Sequence, residues 1–75
     1  MTLYDVKINQ LVKVKSLNID SSLSQRLHDF GLINNTIISP VLYSPFSDPI
    51  AYEFRGNIVA IRNEDAKKIN VVVIK

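Results

Sequence analysis

Residues 50–62, IAYEFRGNIVAIR, decide the fold. Ile50, Tyr52 and Phe54 alternate with Ala51, Glu53 and Arg55, the period of two that marks a half-buried strand. Gly56-Asn57 offers a two-residue turn, expected as type II′, and the apolar pattern resumes with Val59 and Ile61 facing inward. Strands joined by so short a turn pair antiparallel. A lone hairpin is marginal in water, so the rest of the chain has to cover its apolar face.

Upstream, residues 43–49 read YSPFSDP and place Pro45, Phe46 and Pro49 in a loop. The residue before a proline is pushed out of the helical region, so Asp48-Pro49 restarts an extended chain. Two prolines lower the entropy cost of holding Phe46 in place. Phe46 either folds back onto its own domain or faces a partner. A strand over 36–43 precedes the loop. Pro40 within it has no N–H to donate and marks an edge or a bulge. Asn34-Asn35 forms the turn before it, since Asn tolerates the left-handed region.

The segment SSLSQRLHDFGL, residues 21–32, carries every mark of a short helix. Ser22 and Gln25 have capping-box spacing. Leu23, Leu27 and Phe30 form one apolar stripe, expected in the core or shared with a partner. Gly31 sits where a left-handed C′ residue belongs, with Leu32 packing back on Leu27 in a Schellman ending. A first strand over 11–17 turns Val12 and Val14 inward and Lys13 and Lys15 to water. Asn63 caps one further helical or 3₁₀ turn in NEDAKK. A last strand over 69–74 turns Ile69, Val71 and Val73 inward and leaves Val72 and Ile74 outside.

Five short strands and one helix in 75 residues make a mostly β, single-domain chain over 1–75. The best fit is a small SH3-like antiparallel barrel with the helix between strands one and two, because closure hides strand edges.

Composition narrows function by exclusion. With 47% hydrophobic and 21% charged residues the chain is globular, and its net charge of +2 is spread among interspersed signs rather than a basic stripe. Nucleic acid is therefore not the expected partner. The absence of cysteine removes disulfides and thiolate metal sites and favours a cytoplasmic setting. No apolar run approaches the roughly 18 residues of a membrane helix, so direct insertion is not expected. His28 is the sole histidine, and its neighbour Asp29 points about 100° away on a helix. Without a nucleophile, a base pair of residues or a phosphate loop, no enzyme is expected. His28 reads as a surface helix residue, and scattered carboxylates do not make a zinc site, which wants about four ligands.

In order and spacing, RLHDFGLINNT, then YSPFSDPIAYEFRGNIVAIR, then EDAKKINVVV resembles the FeoA family, and TLYDVKINQ resembles the family's opening. Three glycines of the family pattern are replaced: Asn9 and Ser47 stand for Gly, and Asn34-Asn35 for Pro-Gly. The resemblance implies a cytoplasmic SH3-like barrel that accompanies ferrous iron uptake without catalysing a reaction. The implied partner is a FeoB-like membrane transporter with a GTP-binding domain. No resident cofactor is implied, although weak binding of Fe²⁺ or another divalent metal stays open. Arg26, Leu27, Tyr43, Phe46 and Pro49 are the expected contact set. A weak metal-sensing module and a small nucleic-acid-binding barrel are the rival readings.

Overall fold

Alternation in the sequence becomes burial on the strands. In the computed structural model, which describes residues 1–19 and 21–74, a 3₁₀ turn Leu3–Asp5 leads to β1 (Val12–Leu17), α1 (Ser21–Asp29), β2 (Ile37–Tyr43), β3 (Ile50–Phe54), β4 (Asn57–Ile61), α2 (Asn63–Ala66) and β5 (Ile69–Val73). All four ladders are antiparallel, in the order β4-β3-β2-β1-β5. Ile61 of β4 and Ile69 and Val71 of β5 are buried in one cluster with Val12, Val14, Ile38, Tyr52 and Phe54. Opposite ends of the sheet can share a core only if the sheet curls, and extents of 28 × 25 × 23 Å agree. The barrel is therefore closed by side chains, since no ladder joins β4 to β5 among the described residues.

Each free edge has a cover. The Asn57 side chain donates through Nδ2 to Phe30 O at the end of α1, which holds the helix beside β4. Met1 O accepts the Val71 N–H, and Thr2 bridges Asn70, along the outer edge of β5. Pro40 lies buried at a register shift of β2, the bulge its missing donor requires.

The helix ends in the expected Schellman geometry: Gly31 has φ 98°, its N–H reaches His28 O, and the Leu32 N–H reaches Leu27 O. The start differs, because α1 begins at Ser21, one residue before the expected cap at Ser22. Phe30 was expected in the core stripe and is 45% exposed. It stands at the cap, where the chain reverses, and Leu32 takes the inner place instead.

Three further expectations shift. The hairpin turn is Arg55-Gly56, both at positive φ (54° and 78°), with Phe54 opposite Asn57. Positive φ at both central residues is the type I′ signature. Arg62, not Asn63, occupies the N-cap of α2. Val73 pairs with Val12 but at the open end of the barrel, and stays 49% exposed.

Candidate functional site

The loop between β2 and β3 is a built structure. Ser44 closes it from within: its carbonyl accepts the Ser47 N–H and its Oγ accepts the Asp48 N–H. Asn63, the first residue of α2, then ties it to the barrel. Its N–H donates to Asp48 Oδ1 at 3.0 Å and its Nδ2 to Ser47 O at 2.9 Å. Ser47 holds φ 61° in this arrangement, and Asn9 (67°) and Asn35 (73°) likewise stay left-handed. All three glycine replacements noted in the sequence thus keep a glycine-type backbone. On this rigid support Phe46 is 92% exposed, so it does not fold back onto the barrel.

Beside the loop lies a groove of about 420 Å³ lined by Tyr4, Tyr43, Ser47, Ile50 and Asn63. Tyr43 is half exposed and Pro49 partly so. Tyr4 was not anticipated. The Thr2 N–H donates to Asp5 Oδ2, closing the 3₁₀ turn that carries Tyr4 to the groove. That bond holds the Asp5 carboxyl below its ordinary pKa. The Lys67 ammonium lies 4.7 Å from the Tyr4 ring centre. The only signal for Tyr4 was its place in the opening segment; its position depends on pairing of Met1 with Val71.

Arg26 is exposed on α1 and shares a second groove, of about 250 Å³, with Leu23, Ala60, Arg62 and Asp65. Arg62, which lines this groove, and Asn63, which lines the first, are neighbours at the start of α2. Leu27 does not belong to this surface: at 2% exposure it is part of the core and cannot touch a partner. Of the five expected contact residues, the structure leaves four accessible: Tyr43, Phe46 and Pro49 on or beside the β2–β3 loop, and Arg26 on α1 at the second groove.

His28 is exposed, and no three of His, Asp and Glu converge as a metal group among the described residues. Tyr52 is fully buried, its hydroxyl has no hydrogen-bond partner among the described residues, and burial pushes its pKa up to about 12. No helix among the described residues is long and apolar enough to cross a membrane.

Comparison with known proteins agrees along the whole chain. A family model for the FeoA domain matches residues 1–73. A Campylobacter jejuni chain named as an Fe(2+) transport protein A is 32% identical over 74 residues, covering 99% of this chain and all of that one. The solution structure of FeoA from Chlorobium tepidum superposes with a TM-score of 0.95 at 25% identity, over 100% of this chain and 71% of that one. The zinc complex of Stenotrophomonas maltophilia FeoA, described as an SH3 domain protein, has a TM-score of 0.81 at 21% identity, covering 96% and 89%. The fold is SH3-like, as the strand pattern indicated.

Proposed function

The chain belongs to the FeoA family, and from that premise we propose that it is a non-enzymatic cytoplasmic accessory of ferrous iron transport. It acts by contact with the cytosolic part of a FeoB-like membrane transporter. The observation that carries this reading is Phe46, an aromatic ring 92% exposed at the tip of a loop locked by Asn63. A large apolar side chain held rigidly in water loses little entropy on docking, and aromatic anchors dominate protein interfaces. Tyr43 and Pro49 extend the apolar contact, and Arg26 supplies a charge at the rim.

The test is titration of the transporter's cytosolic GTP-binding domain with wild-type protein, Phe46→Ala and Arg26→Ala. Loss of at least about tenfold in affinity is expected for Phe46→Ala, a typical anchor effect. A smaller loss is expected for Arg26→Ala. Wild-type affinity in both folded variants removes this surface, and no binding by any of them removes the reading itself.

A further inference from the structure

The outward face of β2–β4 is apolar where a one-sided antiparallel sheet normally presents polar residues to water. Ladder register sets Leu42, Ala51 and Ala60 in one row and Ser39, Glu53 and Ile58 in the next, with Ser39 buried at the β2 side. Leu42 and Ile58 are each 66% exposed. Two charges bound this face at opposite ends. Glu53 shares the row of Ile58, and Arg62 continues the outward side of β4 two residues beyond Ala60, still in extended backbone. Among the described residues neither has an ion-pair partner.

We propose that this face docks against the same face of a second copy of the chain, about a two-fold axis passing between Ala51 and Ala60. A two-fold contact puts one patch on both copies, so the patch must complement itself. This one does: the axis brings Glu53 of each copy onto Arg62 of the other. Strand spacing and rise put Glu53 and Arg62 about 14 Å apart along the strands and about 5 Å across them. Superposing the pair then sets the strands of the two sheets about 40° apart, near the roughly 30° of aligned sheet packing. Leu42 meets Leu42 of the copy, Ile58 lies against its Ala60, and the small alanines on the axis let the sheets approach.

An unrelated partner would require no complementarity between Glu53 and Arg62, and that relation is what selects a second copy. Tyr43 follows Leu42 and points to the opposite side, so this face is distinct from the groove of Tyr4 and Tyr43. The apolar patch is only a few hundred Å² per copy, against about 800 Å² in a standard interface, so the dimer is weak and reversible.

Sedimentation equilibrium at low salt, up to about 1 mM protein, reads this association in the high-micromolar range. Glu53→Arg and Arg62→Glu are each expected to weaken self-association about tenfold, since each turns two attractive pairs repulsive. Mixed in equal amounts, the two variants restore both pairs and associate at least as well as wild type. That rescue separates an interface from a folding defect. Wild-type protein that stays monomeric at the highest concentration overturns the proposal, as does a mixture that associates no better than the single variants.

Discussion

Asp48 and Asn63 lie 15 positions apart, yet the Asn63 N–H donates to Asp48 Oδ1 at 3.0 Å. Asn63 is the first residue of α2, and Arg62 at its N-cap makes no side-chain cap bond. The loop therefore supplies the oxygen that the helix start lacks. Losing a cap oxygen costs about 1 kcal/mol. Asp48→Ala should lower unfolding free energy by that amount in urea and speed amide exchange at Phe46 and Ser47. Unchanged exchange in the loop would show that Asn63 Nδ2 on Ser47 O suffices to hold it.

Ser47 makes the opposite prediction. A non-glycine residue held at positive φ is strained by roughly 1–2 kcal/mol, less the entropy that glycine loses on folding. With φ 61° at Ser47, Ser47→Gly should stabilise the protein by up to about 1 kcal/mol. Its carbonyl, the group that Asn63 uses, is unaffected by the change. Thermal unfolding measures the gain; a lower midpoint would mean that the serine side chain contributes more than its backbone loses.

Tyr52 predicts an alkaline limb. Its pKa is raised from 10.0 to about 12, by burial first and then by Tyr43 and Tyr4. As pH climbs past 10 the unfolded chain loses this proton before the folded one does, so the unfolded state binds fewer protons and stability falls. The contribution is whole below pH 10 and lost toward pH 12, on the order of 2 kcal/mol. Tyr52→Phe should flatten that limb in denaturation curves taken across pH 9–12. Near neutrality the same change should be neutral or stabilising by about 1 kcal/mol, because the hydroxyl it removes is buried without a partner among the described residues.

What was legible in the sequence was local. The end of α1 depends on Leu27, Gly31 and Leu32, which are neighbours in the chain, and its hydrogen bonds fall where their spacing requires. The β3–β4 turn was misplaced by one residue because it puts Arg55, a poor candidate for positive φ, in the left-handed region. The site was less legible because its parts are distant in sequence. Phe46 is held out by Asn63, and Tyr4 is placed by pairing of the first residues with β5. Leu27 and Arg26 are adjacent, yet one is core and the other surface, a division that helix rotation sets and a short apolar stripe cannot resolve.

Gly31 tests how tightly α1 is seated on the hairpin. A Cβ there would meet Arg55 Cγ at 3.0 Å, on a backbone with φ 98°. Gly31→Ala should cost about 1–2 kcal/mol from the backbone alone. The clash adds to this only to the extent that Arg55 cannot swing aside. In an Arg55→Gly background the Cβ and Cγ that crowd position 31 are both gone, and Gly-Gly is a favoured type I′ pair. The penalty for Gly31→Ala should then shrink, and a double-mutant cycle in urea measures the difference. Full additivity would place the whole cost in φ.

Leu27 and Phe46 should separate stability from binding. Leu27 is buried among core residues, and a leucine truncated in a core typically costs 2–5 kcal/mol. Total stability for a chain of 75 residues is about 4–11 kcal/mol. Leu27→Ala should therefore lower the unfolding midpoint strongly, and any binding it loses should return when the measurement is made cold enough to keep it folded. Phe46, 92% exposed, loses almost no contact within the chain on truncation, so Phe46→Ala should change stability by less than about 0.5 kcal/mol. Its binding defect should then persist at every temperature at which the domain is folded. Calorimetric unfolding paired with binding at two temperatures distinguishes the two residues. A stable Leu27→Ala protein with permanently impaired binding would put Leu27 back on the contact surface.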